Sequence, residues 1–305
     1  MTTYKMKHDR VIWTNIIHPT PDDIEALRQE YSYLHPLNLE DILSPIERPK
    51  LDEDENYLFV VLHFPLWDPV QRLSRAREIN LIIGRGYVIT IHDGSLKPLT
   101  QFFQQCEQDA AMRERYLGRG ANHTFYTIID QLIDYIFPIL RKVDKNIQGI
   151  EEIIFMPDSR QVIREIVLVR RDVLALRRII RQQVPILEEL EHTQHPIIHE
   201  DFEEYFGDLV DHMSKARDFV DEDFEMIGNL AETADTLASH RINEVMRILT
   251  VISVIMMPLT LISSIYGMNV DLPFDDNPQA FLVINAMMIL VVTFLLFYFR
   301  RRGWL

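Results

Sequence analysis

Two stretches near the C-terminal end of the chain, 248–270 and 277–299, contain no charged side chain. Each is long enough to cross a hydrocarbon core as a helix, which takes roughly 20 apolar residues. A buried hairpin inside a soluble protein is the competing reading, and it fails because two such runs end to end would overwhelm a soluble surface. The flanks set an orientation. Arg241 and Arg247 precede the first stretch, Arg300, Arg301 and Arg302 follow the second, and the short connection holds Asp271, Asp275 and Asp276 and no base. An excess of arginine on the cytoplasmic side puts both ends of the pair in the cytoplasm. Tyr298 and Trp304 suit a membrane interface. The loop carboxylates either concentrate cations at an outer mouth or are ordinary loop acidity, and the residues do not choose between the two.

The rest of the chain has the opposite character. The 305 residues carry a net charge of −15, of which 241–305 contribute +1 and 1–240 contribute −16. Nucleic acid is excluded as a partner, because phosphate binding needs a basic face. Cations fit an acidic surface better, although solubility alone suffices to explain it. Cys106 is the one cysteine, which rules out an intrachain disulfide or a cysteine zinc site and fits a reducing compartment. Met1 to Arg10 is polar and lacks the apolar region of a signal peptide.

The first hundred residues alternate short helix and strand signals. Thr20-Pro21-Asp22-Asp23 reads as an N-cap, Pro at the first helical position and an acid at the third, with a helix to about Gln29. Pro36 opens a second short helix. Strands are expected over Tyr57–Phe64, Glu78–Gly84 and Tyr87–His92, the last two joined by a Gly84-Arg85-Gly86 turn. Asn122 is expected to cap a helix running to about Phe155. Pro157-Asp158-Ser159 breaks it, and a second helix runs to about Glu191 with Val162, Ile166, Val169, Val173, Leu176 and Ile180 on one face. From about Glu200 no proline occurs until Pro258, and helical periodicity runs straight into the first apolar stretch, to Gly267 if unbroken. Such a helix would be about 100 Å long at about 1.5 Å per residue and could bury a face only against neighbours.

On a helical template Thr250, Ser253, Met257, Thr260, Ser264 and Gly267 recur at spacings of three and four and share one face of the first stretch. Small and hydroxyl residues permit close helix packing, which the stripe alone favours. They also suit a pore wall of small polar groups alternating with apolar rings from Met246, Leu249 and Met257. No acid lies inside either stretch, so a permeating cation would have to keep its water shell. That suits Mg²⁺, which dehydrates reluctantly.

The run Tyr266-Gly267-Met268-Asn269 at the outer end of the first of two C-terminal spans resembles the signature of the CorA magnesium-transporter family. Asn243-Glu244-Val245-Met246 and Met257-Pro258-Leu259-Thr260 are similar to its stalk and first-span pattern. His35-Pro36-Leu37, Leu39-Glu40-Asp41-Ile42-Leu43 and Arg48-Pro49-Lys50 are similar to its soluble-domain pattern. The resemblance implies an α+β cytosolic domain, an α/β layer plus long helices, followed by a very long stalk helix and two transmembrane helices in a homopentameric funnel. The expected parts are a cytosolic α/β domain at 1–105, a helical region at 106–199 and the stalk at 200–247. The pore-lining span follows at 248–270, then an external loop at 271–276, the second span at 277–299 and a basic tail at 300–305.

The resemblance further implies that Gly267, Met268 and Asn269 form the selectivity mouth, with an Asn269 amide oxygen from each subunit on the hydration shell of the ion. Asn243, Met246, Leu249, Met257, Thr260 and Ser264 would line the pore below; Ser253 joins them from the stripe. It implies closure by intracellular Mg²⁺ at sites between neighbouring soluble domains, the matching positions being Glu40, Asp41, Asp130, Asp208 and His212. Partners are then identical subunits and membrane lipid of the plasma (inner) membrane, and Mg²⁺ is both cargo and regulator with no organic cofactor. Many family members carry Met-Pro-Glu-Leu after the signature. Here the loop reads Val270-Asp271-Leu272-Pro273-Phe274-Asp275-Asp276, which leaves the preference among Mg²⁺, Co²⁺, Ni²⁺ and Zn²⁺ open and a zinc transporter as the nearest rival.

An inside-negative potential of 100 mV favours dication entry by roughly 4.6 kcal/mol, so uptake needs no nucleotide. No P-loop, GxGxxG or HExxH spacing is present. A membrane-anchored enzyme would need a catalytic constellation in 1–240, where none has motif spacing, and a sensor on a two-helix anchor would not need the polar stripe.

Overall fold

The computed structural model describes residues 3–44, 47–156, 159–199, 202–268 and 279–304. The chain divides into two units, Met1–Ala231 and Glu232–Leu305.

The first unit is built on a six-stranded sheet. Its strands are β1 (Thr3–His8), β2 (Val11–Ile17), β3 (Lys50–Asp54), β4 (Tyr57–Asp68), β5 (Leu73–Gly84) and β6 (Tyr87–His92), in the order β1-β2-β6-β5-β4-β3. β2 and β6 pair parallel and every other pair is antiparallel. The crossover between β2 and β6 contains the helices α1 (Pro21–Glu30) and α2 (Pro36–Asp41). The expected cap is present: Thr20 Oγ1 accepts from the Asp23 amide while Asp23 accepts from the Thr20 amide. Leu27, Tyr31, Leu34, Leu39 and Ile42 pack with Tyr57, Phe59, Val61, Ile82, Tyr87 and Ile89 into one buried cluster.

The remaining helices are α3 (Lys97–Gln108), α4 (Ala110–Leu117), α5 (Ala121–Asp134), α6 (Ile136–Ile153), α7 (Ser159–Glu191), α8 (Glu203–Tyr266) and α9 (Ala280–Arg301). α5 packs on β5 and β6, and α7 on β4 and β5. Cover on both faces explains why Tyr57 to Phe64 is a continuous apolar run, every residue of it buried. Polar ties fix α7 in place: Glu165 takes both guanidinium nitrogens of Arg72 at 2.9 and 2.6 Å, Asp172 accepts from the Ser74 amide, and Gln183 accepts from the His63 amide. α7 in turn holds the start of α8, because Arg177 and Arg181 both donate to Asp221 at 2.7 Å.

Several expectations are corrected. Asn122 is no cap. Gly120 occupies that position at φ +104°, and Asn122 is buried inside α5 with its amide donating to the Ile197 carbonyl. The helix expected to run unbroken to Phe155 is two helices that meet at Tyr135. β4 and β5 each extend further than their apolar runs, and β1, β2 and β3 join the sheet as well. The break expected at Pro157 and Asp158 lies outside the described residues.

In the second unit the helix α8 continues through Pro258 without interruption. Proline has no N–H, so the carbonyl of Val254 loses its usual intrahelical partner. The apolar stretches of α8 and α9 reach mean hydropathies of 2.3 and 2.5 with almost nothing buried within the chain. Helices this apolar and uncovered need lipid or partner chains around them. After α9 the ring of Trp304 stacks on Phe299 with centroids 5.7 Å apart, and Arg301 and Arg302 lie over Phe297 and Tyr298.

Candidate functional site

In the first unit two helix faces meet around a set of metal-ligating groups. Tyr126, Asp130 and Asp134 follow one another at four-residue steps along α5, and Asp208 and His212 stand four apart on α8. The Tyr126 hydroxyl donates to Asp208 Oδ2 at 2.9 Å. His212 Nε2 lies 3.6 Å from Asp208 Oδ1, and His212 Nδ1 lies 3.5 Å from Asp130 Oδ1. That Nδ1 is buried without a formed hydrogen bond. One donor atom each from Asp130, Asp134 and His212 lie within 4.8 Å of one another. Burial, and then the charge of Asp134, push the Asp130 carboxyl above its ordinary range, with His212 pulling the other way. Such a cluster is repulsive until a cation or a proton enters it.

Of the residues matched to regulatory sites, Asp130, Asp208 and His212 therefore converge within one chain. Asp134 joins them and was missed, although its four-residue step from Asp130 was visible. Glu40 and Asp41 stand elsewhere, on α2. Glu40 is exposed, and Asp41 binds Lys50 at 2.6 Å, a lysine shared with Asp52 at 2.6 Å. Burial opposes the charge on Lys50, but the two carboxylates hold it above its ordinary pKa.

In the second unit the polar stripe of α8 has a common geometry. Thr250, Ser253 and Thr260 each donate their hydroxyl proton to the carbonyl four residues back, those of Met246, Leu249 and Met256, at 2.7, 2.9 and 2.9 Å. Each hydroxyl oxygen then presents only lone pairs outward. Asn243, Met246, Leu249, Met257 and Ser264 on the same face are exposed within the chain. The Gly267 amide closes the helix on the Ser263 carbonyl at 3.0 Å, and Met268 follows. Asn269 and the acidic loop at 271–276 lie outside the described residues. α9 offers no matching row: Asn285 and Thr293 are its polar side chains before Tyr298.

An α/β unit with a carboxylate–imidazole cluster, joined to two helices long and apolar enough to cross a membrane, has the make-up of a membrane protein with a candidate cation site. Residues 8–301 match the family described as CorA-like Mg²⁺ transporter protein. The cobalt/magnesium transport protein CorA of Thermotoga maritima is 30% identical over 96% of this chain and 83% of its own length. The protein of that name from Methanocaldococcus jannaschii is 22% identical over 97% and 92%. The complete structure of the CorA magnesium transporter of that organism matches 98% of this chain and 93% of its own, with a TM-score of 0.86. The chain belongs to the CorA family of divalent cation transporters.

Proposed function

We propose that this chain takes up Mg²⁺, with Co²⁺ and Ni²⁺ as further cargo, through a pore lined by α8 of five identical subunits and driven by the membrane potential. The observation that carries the reading is the run of back-bonded hydroxyls at Thr250, Ser253 and Thr260. A hydrated dication turns its water protons outward, so the wall it passes must accept hydrogen bonds and donate none. Hydroxyls that have given their protons to the backbone meet that demand, and Met246, Leu249 and Met257 between them supply apolar rings able to close by dewetting. Gly267, Met268 and Asn269 would stand at the outer mouth, with both chain ends in the cytoplasm and the protein in the inner membrane.

Regulation follows from the cluster of Asp130, Asp134, Asp208 and His212. A dication there relieves carboxylate repulsion, and Glu40 and Asp41 of a neighbouring subunit would complete the interface. Ligand binding that favours the closed ring lowers flux when internal Mg²⁺ is high. His212 supports a second reading, because imidazole suits Zn²⁺ and Co²⁺ better than Mg²⁺.

Competitive flux of Mg²⁺, Co²⁺ and Zn²⁺ into liposomes holding the purified protein separates the readings. Mg²⁺ entry that Asn269→Ala abolishes is the expected result; Zn²⁺ entry unaffected by excess Mg²⁺ would transfer the assignment to zinc, and no flux of any dication would remove it.

A further inference from the structure

We propose that the cavity between α6 and the first part of α8, within the first unit, binds a small organic ammonium, for which a linear alkyl diamine is the best fit. The cavity has a volume of about 330 Å³, within the range of small-ligand sites. Phe137 and Leu140 on α6 and Phe219 and Met226 on α8 give it apolar walls. The two phenylalanines meet edge to face with centroids 6.4 Å apart, and Phe219 stays half exposed. Asp223 of α8 lines the same cavity, with Asp144 and Glu222 beside it.

Asp223 is the group that calls for a ligand. It is 6% exposed and has no hydrogen bond or ion pair among the described residues. Its carboxylate oxygens are not among the buried polar atoms cut off from every partner, so the cavity gives access to them. The charges that reach its carboxyl are those of Asp144 and Glu222, both negative. Arg141 and Lys215 stand on the exposed rim and form no ion pair with it among the described residues. A buried carboxylate without a counter-charge is costly when ionised, and a cation in the cavity removes that cost.

The walls select the kind of cation. A bare metal ion needs several ligand atoms converging on it. Among the described residues Asp130, Asp134 and His212 converge in that way, whereas Asp144, Glu222 and Asp223 form no such set. An ammonium asks for less: one carboxylate, an aromatic ring near its charge and apolar surface for its carbon chain. Asp223, the Phe137–Phe219 pair, and Leu140 with Met226 supply these in turn. The second ammonium of a diamine then meets Glu222, which is exposed, or Asp144, which is half-buried and accepts from the Gln148 amide at 2.9 Å.

The test is calorimetric titration of the full-length protein in detergent, with Mg²⁺ present, using diaminobutane and butylamine as probes. The variants are Asp223→Asn and Phe219→Leu in the cavity and Asp130→Asn in the carboxylate–imidazole cluster, with the exposed Asp218→Asn on α8 as control. Saturable binding of diaminobutane ahead of butylamine is expected. It should weaken about tenfold in Asp223→Asn and about threefold in Phe219→Leu, and stay unchanged in Asp218→Asn. Melting of each free variant shows whether it folds, and Phe219→Leu carries the comparison if Asp223→Asn does not. No saturable binding of either amine, equal loss in Asp218→Asn, or loss in Asp130→Asn with none in Asp223→Asn overturns the proposal; equal affinity for the two amines overturns its diamine part.

Discussion

Tyr126 on α5 donates its hydroxyl proton to Asp208 Oδ2 on α8 at 2.9 Å, and this bond turns the other carboxylate oxygen toward His212. Burial first, and then the bond to Asp208, raise the phenol's pKa, so it remains a donor throughout the physiological range. Tyr126 thus stands to the candidate metal cluster as an orienting group stands to a ligand. Tyr126→Phe should lower Mg²⁺ affinity about tenfold, and Asp208→Asn should lower it further. The measurement is the rise of melting temperature with Mg²⁺, because a ligand that binds the folded state stabilises it by mass action. Wild-type Mg²⁺ response in both variants would place the regulatory ion elsewhere.

Asp223 supplies a pH-dependent prediction. It is 6% exposed, lacks any hydrogen bond or ion pair among the described residues, and lines a cavity with Phe137, Phe219, Asp144, Glu222, Arg141 and Lys215. Burial, then the charges of Asp144 and Glu222, push its carboxyl up to about 7. The sign is the reverse of the usual one for an aspartate. A raised folded pKa means that the folded state prefers the protonated form. The associated stability is fully present below the unfolded value of about 4 and is lost as pH climbs to about 7. Asp223→Asn should therefore melt close to wild type at pH 4.5 and above it at pH 8, by up to about 4 kcal/mol. Equal melting at pH 8 would mean that the ionised carboxylate is solvated or paired.

Local chemistry made part of this fold readable. The Thr20 cap, the whole of β6, the end of α7 at Glu191 and the continuity of α8 follow from capping residues, β-branched runs and periodicity. β1 and β2 were hidden because their polar residues are satisfied only by distant partners. Trp13 Nε1 donates to Thr90 Oγ1, and Thr90 in turn donates to Asn15 Oδ1, 75 residues away in the chain. β3 reads Lys-Leu-Asp-Glu-Asp, an edge strand whose charge masks its pairing. At the candidate site Asp130, Asp208 and His212 came from family resemblance rather than from the residues themselves. Four-residue spacing on two separate helices does not say that those helices meet.

The end of the central strand β5, at the β5–β6 turn, allows no side chain at Gly84. A Cβ there would come within 2.2 Å of the Tyr87 ring, which packs 4.6 Å from Tyr31 and whose hydroxyl takes a hydrogen bond from Tyr33 at 3.0 Å. Gly84→Ala should cost about 1–3 kcal/mol by overpacking. Gly149, inside α6, is the converse case: nothing lies within 4 Å of its Cβ position. Gly149→Ala should stabilise by about 0.4–1 kcal/mol through the lower entropy of the unfolded chain. Denaturant melts of the two variants against wild type check both signs.

Thr260 separates a pore wall from a packing face. Its hydroxyl is bonded to the Met256 carbonyl at 2.9 Å, so its outward contribution is an acceptor oxygen and a methyl group. Thr260→Val keeps the shape and removes the oxygen; Thr260→Ser keeps the oxygen and removes the methyl. If hydrated dications pass this face, Val should slow Mg²⁺ flux by roughly fivefold, the equivalent of about 1 kcal/mol for one hydrogen bond, while Ser stays near wild type. If the face serves close helix packing instead, the order reverses. Val would then leave flux intact, because helix shape is preserved, and Ser would disturb assembly by opening a methyl-sized gap. Liposome flux, read together with the melting of the assembled protein, distinguishes the two orders. A Val variant with wild-type flux would remove hydroxyl acceptance from the permeation mechanism.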